Sequence, residues 1–463
     1  MSFTANIEEV VTENLNGLLS KHTTWCRVPL GQVAEVLNGF PFDSKRFVQV
    51  RAAPLIRIRD IVRGRTETFY DGEIPDGYWV EAGEILIGMD GDFNIARWKS
   101  ERALLNQRVL KLSAKSSFYN ERFLFFVVAG YLQAINEKTP SVTVKHLSSK
   151  TVLSIPLPLP PLAEQTRIAA KLDELLAQVD TLKARIDAIP ALLKRFRQSV
   201  LAAAVSGRLT EEWRASNPNM PALSMEELEL GIKSSGFRPK AKGIGAVQVS
   251  KIPGWLDTPL GAVLSVRSGD GLTAKEMNEG GTIPVYGGNG INGYHTEGNV
   301  TNRTVVIGRV GYYCGSVHFT PNKAWVTDNA LVVNYPNTLF DINYIYWLLL
   351  GTNLRENTSS SAQPVISGEK IYPIKLSIPP RLEQTEIVRR VEQLFALADQ
   401  LEAKVASAKS RIYRLTQSIL AKAFRGELVP QDPNDEPASV LLERINAQRA
   451  AAPKAKRGRK ASA

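Results

Sequence analysis

Cysteine and histidine are scarce in this chain: 463 residues hold two cysteines, Cys26 and Cys314, and four histidines scattered singly. Two thiols cannot build a disulfide framework or a cysteine-rich zinc site, which points to a reducing cytoplasm. No run of 18 apolar residues occurs, so no membrane span is expected. The opening MSFTANIEEVVTENL lacks a basic segment followed by an apolar core and does not read as a signal peptide. Catalytic signatures are missing as well. There is no Gly-x4-Gly-Lys-Ser/Thr, no Asn/Asp-Pro-Pro-Tyr/Phe of amino-methyltransferases, no Cys-x2-Cys and no His-Glu-x2-His. Glu402-Ala403-Lys404 has the outline of a nuclease Glu-x-Lys, but it falls inside a heptad helix. A Ser/His or Cys/His pair distant in sequence is localised by no pattern.

What the chain does have is a repeat. Residues 160–210 align without a gap with residues 379–429, 219 positions on, and 19 of the 51 pairs are identical. Glu164-Gln165-Thr166 matches Glu383-Gln384-Thr385, and Gly207 matches Gly426. So long a period is no solenoid, whose units run about 20–50 residues. It describes two copies of a domain plus a helix.

Both helices carry a heptad seam. In the first, Ile168, Leu172, Leu175, Val179, Leu182, Ile186, Ile189, Leu193, Phe196 and Val200 keep a 4-3 spacing; in the second, Ile387, Val391, Leu394, Ala398, Leu401, Val405, Ala408, Ile412, Leu415 and Ile419 repeat it. Such a run predicts coiled-coil pairing. Leu172, Leu175, Val179, Leu182 and Ile186 are the expected pairing residues of one helix, Val391, Leu394, Leu401, Val405 and Ile412 those of the other. A Pro pair precedes each helix, and a glycine suited to a left-handed cap follows it. From Ile168 to Val200 a helix runs about 50 Å. Pro190, where the second copy has Lys409, predicts a kink or short break.

Net charge is +11 and the isoelectric point near 9.5, which suits a polyanionic partner. Part of the excess sits in a tail holding Lys454, Lys456, Arg457, Arg459 and Lys460. Further cations, Lys183, Arg185, Lys194, Arg195 and Arg197, then Lys404, Lys409, Arg411 and Arg414, lie on the helices, where a solvated face is the plain alternative.

Ahead of each helix lies a strand-rich segment with a common plan. Trp25, then Pro29-Leu30-Gly31, answers Trp255, then Pro259-Leu260-Gly261; Gly88 and Gly91 after one strand answer Gly308 and Gly311 after another. Leu105-Asn106-Gln107-Arg108-Val109 is set against Thr327-Asp328-Asn329-Ala330-Leu331. Gly-x-x-Gly after a strand allows positive φ and close approach of a ligand. Asp90, Asp92, Asn94, Arg97 and Lys99 in the first domain, and Asn289, Asn292, Tyr294, Arg309, Tyr312 and Tyr313 in the second, are therefore candidate DNA-binding residues. A water-facing turn is the competing explanation. Tyr286-Gly287-Gly288-Asn289-Gly290 lacks the Lys-Ser/Thr ending of a P-loop.

Together the two helical repeats, the run Gly88 to Lys99, the block Ala103 to Val109, Tyr286 to Gly290 and Trp325-Val326-Thr327-Asp328-Asn329-Ala330 resemble the specificity subunit of type I restriction–modification systems. Leu193 to Gln198 and Gln417 to Leu428 resemble most its enteric-type branch. The resemblance covers essentially the whole chain. It implies an α+β fold in which two target-recognition domains are each followed by a long helix, the helices pairing as an antiparallel coiled coil with pseudo-twofold symmetry. Expected boundaries are 1–24 for an N-terminal helical extension, 25–159 and 251–378 for the recognition domains, and 160–210 and 379–430 for the helices. A linker with a short helix would fill 211–250, and a C-terminal helix and basic tail 431–463.

The resemblance also implies a non-catalytic, cytoplasmic reader of double-stranded DNA that recognises a split, asymmetric site with a fixed spacer. Its partners would be two methyltransferase and two motor-nuclease subunits, with no membrane. The chain itself would bind no cofactor or metal; S-adenosylmethionine, ATP and Mg²⁺ belong to the partners. Two alternatives stay open on the residues alone: a coiled-coil scaffold with protein-binding domains, and a stand-alone nuclease.

Overall fold

A computed structural model describes residues 7–13, 18–49, 52–138, 145–240, 246–277, 280–358 and 364–451. The basic tail from Lys454 to Lys460 lies outside them. The chain divides into two units, Met1–Ile186 with Ser407–Ala463, and Asp187–Ala406. Each unit holds one globular domain, part of the first long helix and part of the second.

In the first domain, Ile85–Gly88 supplies Ile85, Leu86 and Ile87, all fully buried, because its strand is covered on both faces. Ile85 and Ile87 face a core shared with the helix Glu121–Lys138 and the long helix, while Leu86 faces a smaller cluster around Ile56, Trp98 and Leu105. This strand lies in an antiparallel sheet in the order Ala34–Asn38, Val109–Ala114, Ile85–Gly88, Ile95–Arg97. Beside it stands a second sheet in which Ala53–Ile56 runs parallel to Ala103–Leu105.

The second domain repeats the plan with different residues. Its main sheet is ordered Ser265–Ser268, Ala330–Asn334, Val305–Gly308, Val317–Phe319, and its small sheet pairs Ile283–Gly287 in parallel with Trp325–Val326. Equivalent hydrogen bonds tie the sheets to their turns. Phe40 N–H donates to the Leu105 carbonyl (2.9 Å) as Asp270 does to Val326 (3.0 Å). Met89 N–H donates to Arg108 (3.0 Å) as Arg309 does to Asn329 (2.9 Å). These bonds correct the alignment of the two blocks by one residue. Asn106-Gln107-Arg108 corresponds to Thr327-Asp328-Asn329, because apolar content alone cannot distinguish Leu105 opposite Val326 from Leu105 opposite Thr327 when flanking strands differ in length.

The long helices, Leu162–Val205 and Arg381–Phe424, have 44 residues each, about 66 Å at 1.5 Å per residue. Each is followed by its glycine in the left-handed region, Gly207 at φ 71° and Gly426 at φ 72°. Of the kink or short break expected at Pro190, the break does not occur: helix runs unbroken through it. The proline removes one backbone donor, to the Ile186 carbonyl, at a cost of about 3 kcal/mol; burial of Leu193, Val200, Leu201 and Ala204 offsets it.

Within the first unit, Leu172 and Val179 share a core with Ile419, Ala423 and Phe424; within the second, Val200 and Ala204 share one with Ile387 and Val391. The start of one helix therefore packs with the end of the other in both units, an antiparallel pairing. In the second unit Arg197 also bridges Asp399 (2.6 Å) and Glu402 (2.7 Å). That assigns Glu402 to an ion pair.

The identical Glu-Gln-Thr triplets fasten helix to domain. Trp25 Nε1 donates to buried Glu164 (3.1 Å) and Trp255 Nε1 to buried Glu383 (2.8 Å). Gln165 Nε2 donates to the Pro160 carbonyl (2.9 Å) and Gln384 Nε2 to that of Pro379 (3.1 Å). Glu383 is further held by the Arg214 guanidinium and by Thr210 Oγ1 (2.6 Å). Glu164 has Gln431 (3.4 Å) instead, and burial raises its pKa.

Candidate nucleic-acid interface

At one end of the first domain, the turn after Ile85–Gly88 meets the turn 106–108. Gly91 takes φ 74°, as the spacing predicts, and its N–H donates to the Lys145 carbonyl (3.1 Å). Phe93, at φ 50°, is buried beneath the turn as a plug, so the backbone strain of a non-glycine residue is held by packing. Asp90 Oδ1 lies 2.6 Å from His146 Nδ1, and Asp90 Oδ2 accepts from the Arg108 guanidinium at 3.1 Å. Its carboxylate is thus committed to positioning Arg108. Asp92 points to solvent, and Asn94 gives its carbonyl to Gly88 N–H (2.8 Å).

Two candidates lie elsewhere. Arg97 donates to Glu121 (3.2 Å) and to the Gly83 carbonyl (2.9 Å) and sits over the Phe125 ring, lining a cleft with Asp173 and Leu176 of the long helix. Its β-strand continues away from the turn, and exposed Lys99 lies farther along, beside Gly64. Sequence proximity to Gly91 does not bring either to the turn face, because Ile95–Arg97 carries the chain to the opposite sheet end.

The second domain brings three turns together. Gly308 and the 309–313 turn abut the Gly287-Gly288 hairpin: a Cβ on Gly308 would stand 2.2 Å from the Gly288 carbonyl oxygen. Gly288 in turn approaches the Asn329 carbonyl. Asn289, Asn292 and Tyr294 are exposed on the hairpin. Tyr312, 82% exposed, forms an edge-on pair with exposed Tyr313. Arg309 NH1 donates to Ser268 Oγ and the Asp328 carbonyl, both at 3.2 Å, which fixes one end of its fork. Arg355 supports the turn from behind through the carbonyls of Tyr312 and Cys314.

The 106–108 and 327–329 turns are held in place by glycines across from them. A Cβ on Gly39 would stand 2.0 Å from the Asn106 carbonyl oxygen, and one on Gly269 2.2 Å from that of Val326. Both domains thus present, at one shared place, a polar turn on a rigid seat. Comparison with known proteins places the chain in a family. Residues 22–191 and 253–407 match the model of the type I restriction modification DNA specificity domain. The chain belongs to the specificity subunits of type I restriction–modification systems.

Among relatives, the specificity subunit of the Escherichia coli type I restriction enzyme EcoBI is 39% identical, over 99% of this chain and 100% of its own. That of EcoKI from Escherichia coli strain K12 is 31% identical over 95% and 98%. A solved chain from work on complex assembly and conformational transition of the type I R-M system superposes with a TM-score of 0.58 at 17% identity, covering 88% of this chain and 99% of that one. The HsdS subunit of Thermoanaerobacter tengcongensis gives 0.50 at 18% identity, over 88% and 98%. The specificity subunit is the non-catalytic component of its system. Among the described residues no helix is long and apolar enough to cross a membrane.

Sequence reasoning passed over Arg57, Arg59, Gln107, Arg108, Asp328 and Asn329 as site residues. The turn residues had a legible signal, a short polar run between two apolar strands. Arg57 and Arg59 had none, since only the parallel pairing of Ala53–Ile56 with Ala103–Leu105 brings them beside the turn.

Proposed function

We propose that each globular domain reads one half of a split, asymmetric site on double-stranded DNA through the major groove, and that the paired long helices fix the unspecified spacer between halves. One observation carries this reading: the same hydrogen-bonded seat presents Gln107-Arg108 in one domain and Asp328-Asn329 in the other. Arg suits guanine, Asn or Gln adenine, and a carboxylate accepts from cytosine. A common seat with different donors and acceptors fits two readers of different sequences. The relatives are named as subunits of type I restriction enzymes, which supports placing this chain in a larger complex. In this proposal its partners are two methyltransferase and two motor-nuclease subunits, which carry S-adenosylmethionine, ATP and Mg²⁺. Docking is supported by apolar side chains exposed on the helices, Leu182 at 47% and Leu401 at 39% among them, with Leu192, Leu397 and Leu415. A heptad residue left open this far in a two-helix pair is suited to receive a partner helix.

Domain exchange tests the proposal. Residues up to Pro160 replaced by another specificity subunit's first domain should change one half of the methylated site in the host genome and leave the other. Inserting one heptad near Leu182 should lengthen the spacer and change neither half. A methylome in which the exchange altered both halves would refute separate reading.

A further inference from the structure

A cleft of about 530 Å³ opens beside the first domain's polar turn and is lined by Phe42, Phe47, Arg57, Arg59, Gln107 and Arg108, with Ser44, Ile58 and Asn106. Among the described residues, its lining holds three guanidinium groups and no carboxylate; Arg59 pairs with Asp60 (3.8 Å) and Arg108 with Asp90 (3.1 Å), which leaves Arg57 as the uncompensated positive charge. Arg57 and Arg108 are each held in place while their guanidinium groups reach solvent, Arg57 as the N-cap of the helix Ile58–Arg63. Arg57 is fixed by its backbone: its N–H donates to Asp60 Oδ2 (2.9 Å) and its carbonyl accepts from Asp60 N–H (2.8 Å). Its exposed guanidinium has no hydrogen-bond or ion-pair partner among the described residues. Arg108 is steadied at one nitrogen by Asp90, itself bound to His146, and the rest of its fork faces solvent. Gln107 stands exposed between them, its backbone N–H tied to Asn106 Oδ1 (2.9 Å).

The second domain closes the equivalent place. Ile56 pairs with Leu105 as Tyr286 pairs with Val326, so Arg57-Ile58-Arg59 corresponds to Gly287-Gly288-Asn289. There the Gly hairpin lies against Val310 and Asn329. Among the described residues, the Gly hairpin of the second domain occupies the place where the first has its cleft.

We infer that this cleft is the first domain's base-reading site, in which Arg57 and Arg108 donate in forks to guanine edges, Gln107 reads a neighbouring base, and Asp90 is the positioning residue for Arg108. The inference rests on the proposed reading of DNA and assigns it to particular side chains. An arginine with a fixed backbone and a free fork is preorganised for bidentate contact, which a lysine cannot replace.

The experiment uses the chain assembled with its methyltransferase subunit and duplexes carrying every single-base change in the methylated site, at two salt concentrations. Arg108→Ala should reduce discrimination at one position of the first half-site on the order of tenfold to a hundredfold and leave the second half-site unchanged. Arg57→Ala should do the same at another position. Arg108→Lys should fail to restore discrimination, and Asp90→Asn should weaken it at the Arg108 position only. Retained discrimination at the other positions of the first half-site certifies that the first domain of each variant is folded. An even loss across all sequences, restored by Lys and with a flatter salt dependence, would mark a phosphate contact and overturn the assignment. Full first-half discrimination by Arg57→Ala and Arg108→Ala would overturn it too, with DNA reading intact. If the unaltered complex itself showed no preference for the site, the proposed function would fail rather than the cleft.

Discussion

Gln107 and Arg108 in the first domain occupy the turn that Asp328 and Asn329 occupy in the second, on strands of the same order and with the same backbone hydrogen bonds. Around that turn the domains part company. The first offers a cleft walled by arginines, and its glycine turn folds Phe93 inward; the second fills the same place with a Gly hairpin and turns Tyr312 and Tyr313 outward. Its turn is also longer, since Gly88 N–H reaches Asn94 but Gly308 N–H reaches Ser316. Two copies of one scaffold keep the groups that hold the backbone and vary those that face outward. Backbone seats are constrained by sterics at a few tenths of an ångström, whereas exposed side chains away from them usually change stability by little.

The sharpest break between the copies is at the latch. Glu383→Gln should destabilise the second unit by about 3 kcal/mol, because it leaves the half-buried Arg214 guanidinium without its counter-charge. Glu164→Gln should cost far less, since its partners, Trp25 and Gln431, are neutral. Denaturant unfolding of the two variants checks this; equal losses would mean that Arg214 contributes nothing.

Where the copies agree, effects should match. Gly39→Ala and Gly269→Ala each drive a methyl against a carbonyl oxygen, and each should destabilise its own domain by about 1–3 kcal/mol. A neutral substitution in either domain, read by the same unfolding measurement, would deny the shared seat.

At the second domain's face, Arg309→Ala should cost about 1–3 kcal/mol in DNA binding. A loss confined to one position of the second half-site marks a base contact, and an even loss with flatter salt dependence a phosphate contact. Wild-type binding throughout would leave Arg309 a brace for Asp328, through the bond it already makes.

The smallest effect concerns pH. Burial raises the Glu164 pKa, so the folded chain holds that proton more tightly than the unfolded chain. Stability therefore rises as pH falls from neutral into the interval between the ordinary carboxylate value and the raised one, and is lost as pH climbs back through it. Glu164→Gln should flatten this part of the curve of melting temperature against pH. An unchanged slope would show that another group titrates there.

The repeat, the heptad seams, the left-handed glycines and the absence of catalytic motifs were legible in the residues, because each is local or recurs at a set interval. The period marks Leu172, Leu175, Val179 and Ile412, and Val391 and Leu394, which lie in or against the cores, but it also marks Leu182 and Leu401, which stand exposed. A positive φ follows from glycine spacing. The candidate site was only half legible. Glycine turns marked the place, but Arg97 and Lys99 next to one of them are carried off by a strand, and Asp90 is a brace. Arg57 and Arg108 stand 51 positions apart and meet only through the parallel strand pair. By itself, then, the order of residues determined two domains, two helices and the turns that end their strands, all set by short-range sterics and apolar periodicity. Tertiary structure decided which charged groups are spent on one another and which stay free, because that depends on partners brought together from distant parts of the chain.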